Sequence, residues 1–234
     1  MVEPLGFPMD PRSSSFRRAW LLAFVSCVVL VVLSYLFVDR AASTWAHEHL
    51  HRPKVTESLT HLVDPLEPAS VIGLMLAGLA AGLAGWRPGR HGRTFIAACL
   101  AIIVAVMFKN ELKFVFGRTW PETWINGNPS WIGNHVFGFN FFHGGSGYES
   151  FPSGHTARMA ALASVLWHRF PRFRSYAVAM VGLVAVALWG CDYHFVSDII
   201  AGGFLGWACG VGAVALVCRE DRKPPSGAPG SDKR

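Results

Sequence analysis

The sequence predicts an all-α polytopic membrane protein: six transmembrane helices in one bundle, with polar groups gathered at one membrane face. Three observations predict it. Only 15% of the 234 residues are charged and 52% are hydrophobic, whereas soluble domains average about 25% charged. The apolar residues fall into six runs at lengths suited to a bilayer core, which a helix of about 20 residues crosses. The unusual polar residues of the later runs cluster at the ends that a six-span topology puts on one side.

The first run, 19–38, carries no charge and follows Phe16-Arg17-Arg18. It exceeds the ~7–15 apolar residues of a cleavable signal and reads as a retained span. The second is 69–86. The third starts near Thr94, is uncharged to Phe108 and continues through KNELKFVF. The fourth, 154–170, has its polar residues at the front; the fifth is 175–190 and the sixth 197–218. Several are shorter than ~20 uncharged residues, so their helices carry polar groups near one end, facing a bundle interior or wet cavity. Gly78 and Gly82, and Gly202, Gly206 and Gly210, recur at four-residue spacing, which suits close helix packing.

Fourteen of the 21 Lys and Arg residues fall on the side shared by both termini and six on the other, with Arg158 inside the fourth run. The positive-inside rule makes the first side cytoplasmic. Residues 1–15 and 219–234, rich in Pro, Gly and Ser, are expected to be flexible cytoplasmic ends around a membrane domain at 16–218. The net charge of +6 is spread in short clusters between apolar runs, which argues against nucleic acid as a partner. The five cysteines form no C-x-x-C pair and read as small buried apolar residues. His47, His49 and His51, with His61 beyond, read as an amphipathic interfacial segment in preference to a metal site.

The stretch SFPSGHTARMAAL, 150–162, places polar groups at the mouth of the fourth run. Ser153 is a natural N-cap, and Gly154 lets an oxyanion approach the free N–H groups of the helix start. His155 can donate a proton there, and Arg158, three residues on, lies near the same face. His194 and Asp198, four apart, can touch on the first turn of the sixth run; a carboxylate on one imidazole nitrogen leaves the other free to attack. Lys113 and Arg118 supply the fixed positive charge that phosphoryl transfer needs.

In this combination and order the chain resembles the type 2 phosphatidic acid phosphatase superfamily, the lipid phosphate phosphatases. That family carries Lys, six residues, Arg-Pro; then Pro-Ser-Gly-His; then Ser-Arg, five residues, His, three residues, Asp. Here Lys113 and Pro121, the complete Pro152-Ser153-Gly154-His155, and His194 with Asp198 match. The resemblance covers roughly 109–200. It implies a phosphatase of lipid phosphates or pyrophosphates, with membrane lipids as its surroundings. The charge bias sets its active site at the extracytoplasmic face, and a bacterial inner membrane is the expected location. His194 would attack phosphorus, Asp198 orient it and His155 protonate the leaving oxygen. Lys113, Ser153 and Gly154 would hold the phosphoryl group, with no metal or other cofactor. Two family arginines are replaced, by Trp120 and by Leu188 of Ala187-Leu188. Arg118 and Arg158 are the expected substitutes. A phosphotransferase using the same intermediate is the nearest alternative; a small transporter and a decayed, inactive member of the family are the non-enzymatic ones. Oligomeric state is not legible. The aromatic loop 119–151 reads as an interfacial belt or as a lid over the headgroup.

Overall fold

The computed structural model describes residues 13–50, 54–124 and 127–219. His51 and most of the two expected flexible ends lie outside these residues. Helix α1 (Ser14–Leu33) starts where Ser13 accepts a hydrogen bond from the Phe16 N–H, a side-chain cap on an otherwise orphaned donor. It does not stop where its apolar run does. A π-helical segment, Ser34–Val38, carries it directly into α2 (Asp39–Leu50), so that Ser14–Leu50 is one 37-residue helical rod. Asp39, Ser43 and Ala46, all buried, mark the face that α2 turns inward.

Helix α3 (Lys54–His61) precedes α4 (Leu66–Ala84), which ends at Gly85 in the left-handed conformation. Helix α5 (Arg90–Phe116) is 27 residues long. A long loop follows, containing the short α6 (Trp131–Asn134). Helix α7 (Gly154–Arg169) starts at the glycine of Pro-Ser-Gly-His. Then come α8 (Arg174–Gly190) and α9 (Val196–Val217). The described residues contain no strand, only isolated bridges in the long loop.

Five helical stretches are long and apolar enough to cross a membrane: Ser14–Leu50, Ser58–Ala84, Arg90–Phe116, Pro171–Gly190 and Val196–Val217. Helix α7, with 16 residues, is shorter, and its small residues are mostly buried between neighbours. Large apolar side chains of α1, α4 and α8, such as Leu22, Leu79 and Val186, face outward. A water-soluble fold would not leave so much apolar surface uncovered. This is an integral membrane protein.

The core is built by α5, α7 and α9, where Ala97, Ala101, Ile102 and Ala105 meet Ala161, Val165, Ala213 and Val214. Three glycines of α9 set its distance from α7. A Cβ on Gly202 would strike the Ser153 carbonyl at the cap of α7, one on Gly206 the Ala157 carbonyl, and one on Gly210 the Ser164 side chain. The expectation of close packing fails at Gly78 and Gly82: nothing lies within 4 Å of a Cβ built on either. Helix α4 turns that stripe away from the bundle.

Candidate active site

The C-terminal end of α5 and the N-terminal ends of α7 and α9 meet at one end of the bundle. They enclose a cleft of about 200 Å³. Lys109 and Lys113 reach it from α5, Gly154, His155 and Arg158 from α7, and Tyr193 and His194 from the link before α9. Trp120, Trp124 and Asn128 close it from the long loop. Lys113, Gly154, His155, Arg158 and His194, scattered over 82 positions in the chain, are thus brought to one place.

Each side chain has a local reason for its position. Ser153 caps α7, its Oγ accepting from the Thr156 N–H at 3.4 Å and from the Thr156 hydroxyl at 3.1 Å. The Ser153 N–H donates to the Asp198 carbonyl at 3.0 Å, fastening the start of α7 to the start of α9. The first N–H groups of a helix have no partner within it and favour an anion. Gly154 presents them to the cleft, with the Lys109 stem against it: a Cβ at Gly154 would fall 2.7 Å from Lys109 Cδ. The Ser153 hydroxyl itself is fully buried and engaged as a cap, so it does not line the cleft where a phosphate ligand would stand.

His194 is only 4% exposed, and its Nδ1 lies 3.5 Å from Asp198 Oδ2. That separation is long for a hydrogen bond; such contacts tighten when substrate binds. Burial pushes the His194 imidazole below its ordinary pKa, and the Asp198 carboxylate opposes that push. The neutral form, which has a free lone pair, is therefore favoured. The Trp120 ring packs against His194 at 5.4 Å between centroids, with Lys113 Nζ 5.6 Å from the same ring. Trp124 stacks on Tyr193 at 4.4 Å.

Arg118 is the main correction to the sequence expectation. It does not reach the cleft. It is wholly buried behind Asp198, donating to Asp198 Oδ1, to Asp39 Oδ2 at 2.6 Å and to Ser197 Oγ at 2.5 Å. Asp39 in turn accepts from the Ser197 N–H at 3.0 Å. The guanidinium is also framed by aromatic rings, Phe195 at 4.4 Å and Phe139 at 4.9 Å from its centre, a geometry in which a cation is attracted to ring faces. Asp198 completes its own set with the Ser150 hydroxyl at 2.6 Å and the Phe195 N–H at 3.0 Å. Two buried carboxylates around one guanidinium form a rigid support for His194, and a buried charge of this kind needs such partners. Arg158, in contrast, lies in the cleft as expected.

The family comparison gives the same reading. The sequence pattern of the PAP2 superfamily matches residues 94–222. This chain belongs to the PAP2 superfamily. Among PAP2 relatives, the lipid A 1-phosphatase of Rhizobium etli is 28% identical over 206 residues, covering 80% of this chain and 81% of that protein. The lipid A 1-phosphatase of Rhizobium johnstonii is 31% identical over 113 residues, 45% of this chain and 41% of that protein. The crystal structure of a transmembrane PAP2-type phosphatidylglycerolphosphate phosphatase from Bacillus subtilis superposes with a TM-score of 0.56 at 20% identity. The match covers 87% of this chain and 96% of that one, and the two share a fold.

Several residues of this PAP2 site escape a sequence reading. Lys109 had a usable signal, one helical turn before Lys113. Asp39 had none, because its partners lie 79 and 158 positions away. Asp64, from the turn before α4, reaches both His155 and Arg158. Among the described residues, the group able to hold a metal ion is His47, Glu122 and Asp192, whose ligand atoms lie within 4.8 Å of one another. His47 Nδ1 pairs with Asp192 at 2.9 Å. None of the three lines the cleft.

Proposed function

We propose that this chain is a lipid phosphatase acting through a phosphohistidine at the outer leaflet of a bacterial inner membrane, and that its substrate is a lipid A-type 1-phosphate. The observation that carries the reading is a buried histidine facing Asp198 in a cleft that Lys109, Lys113 and Arg158 also line. The lipid A 1-phosphatases among its relatives support the headgroup.

In the first step the free ring nitrogen of His194 attacks phosphorus and a phosphorus–nitrogen bond forms. The bond from phosphorus to the lipid oxygen breaks, and that oxygen takes a proton from His155. Asp198 stabilises the positive charge that develops on the His194 ring. Lys113, Arg158 and the N–H groups at Gly154 hold the equatorial oxygens, the positions where fixed charge is most effective. Water then attacks the phosphohistidine, His155 takes its proton, and phosphate leaves. No step calls for a metal. Counting α7 with the five longer helices gives six spans. The excess of Lys and Arg at the other end of the bundle supports a cleft on the outside and both termini in the cytoplasm.

The test is phosphate release by detergent-purified protein in EDTA from lipid A 1-phosphate, phosphatidic acid, phosphatidylglycerol phosphate and undecaprenyl pyrophosphate. Release by the wild type and its loss in His194→Gln are expected, with lipid A 1-phosphate turned over fastest. Equal release by His194→Gln would refute the nucleophile, and release only with added metal would refute metal independence.

A further inference from the structure

Asp64 stands beside the cleft, against two of its lining side chains, although it precedes residue 94, where the family match begins. It belongs to the turn between α3 and α4. Its Oδ1 lies 3.0 Å from His155 Nε2 and 3.3 Å from Arg158 Nη2, and its Oδ2 lies 3.1 Å from His61 Nδ1. Glu67 approaches Arg158 Nη1 at 3.6 Å. One carboxylate oxygen thus faces donors from both polar side chains that α7 sends into the cleft. An ionised carboxylate can only accept, so His155 and Arg158 both present N–H groups to it. A phosphoryl oxygen held by the same two residues would compete for the same N–H groups.

We infer that Asp64 is the resident anion of the cleft: it occupies the His155–Arg158 donor pair until a phosphoryl group displaces it, and so sets how strongly an anion must bind to enter. The inference rests on the phosphate-binding reading given above. The Asp64 side chain is 48% exposed, and pairs that open to water are weak. A phosphate monoester carries up to two charges and meets Lys109 and Lys113 as well, so it outcompetes the carboxylate. A phosphodiester headgroup carries one charge and gains less. The surrounding bilayer is made of diester lipids, and the resident carboxylate keeps them from filling the site.

The full-length protein in detergent tests this by calorimetric titration with inorganic phosphate. Asp64→Asn, which keeps the shape and removes the charge, is expected to bind phosphate about three- to tenfold more tightly than the wild type. Asp64→Glu restores the charge and should stay close to the wild type. Phosphatidylglycerol in mixed micelles should weaken phosphate binding to Asp64→Asn and not to the wild type. Equal or weaker phosphate binding by Asp64→Asn overturns the inference, as does no phosphate binding by either protein. Turnover is scored separately, by wild type against His194→Gln. Tighter binding without turnover leaves the resident anion standing and removes the phosphatase. Turnover with unchanged phosphate binding does the reverse.

Discussion

Two arginines expected to do the same work stand in different places, Arg118 buried away from the cleft and Arg158 lining it, and a pair of substitutions separates them. Arg118→Ala leaves Asp39 and Asp198 buried together with no cation, and removing one partner from such a set costs about 3–5 kcal/mol. It should lower the apparent Tm in detergent sharply and abolish activity with it. Arg158 pairs with carboxylates that are themselves open to water, Asp64 and Glu67, so Arg158→Ala should keep the Tm within a few degrees and lose phosphate release by ten- to a hundredfold, about 1.4–2.8 kcal/mol of transition-state stabilisation. A thermal shift assay beside a phosphate assay reads both. His194 makes a pH prediction. Its pKa in the folded chain is depressed, so its neutral form persists below the ordinary histidine value near 6.5. The acid limb of kcat/KM is expected below about pH 6.5; a limb above it would contradict the buried neutral nucleophile. The same sign applies to stability: the folded chain binds fewer protons at His194, so this contribution weakens as pH falls through about 6.5. His155, His194 and Lys113 were legible because each sits in a local pattern with its own chemistry. Arg118 was not, because its place depends on Asp39, a residue with no local signature.

At the scale of the helix, the apolar runs fixed most boundaries to within a few residues, since hydropathy and capping act locally. The start of α7 at Gly154 follows from the Ser153 cap. Two features were beyond that kind of reading. The continuation of the first helix to Leu50 depends on α2 finding buried contacts for Asp39, Ser43 and Ala46. The four-residue glycine spacing was the same in α4 and α9, and only the three-dimensional arrangement shows which stripe meets a neighbour. Substitution separates them. Gly206→Ala drives a methyl group into the Ala157 backbone and should push α9 from α7, lowering the Tm and activity together. Gly78→Ala meets nothing and should be neutral or stabilising by up to about 1 kcal/mol, the helix preference for alanine.

For the molecule as a whole, the six-run pattern and the gathering of polar groups at one end were visible in the sequence, because topology alone brings alternate ends together. Their depth relative to one another was not. Orientation remains a charge argument, and a fluorescent protein fused after Arg234 checks it: fluorescence is expected in intact bacteria, where a domain exported unfolded would stay dark. The Ser34–Val38 segment joins the two ends of this scale. A π turn holds one residue more than the α turn it replaces, and each residue of an α-helix advances the azimuth by about 100°. The wider turn absorbs that surplus residue, so α2 keeps the phase that aims Asp39 at Arg118. Deleting Leu36, which faces outward, would leave a regular α turn in its place and hold Asp39 near its partner. The phase of a lipid-facing helix is thereby tied to the charge beneath a buried histidine: in a phosphate assay the shorter, better-wound rod should keep its activity.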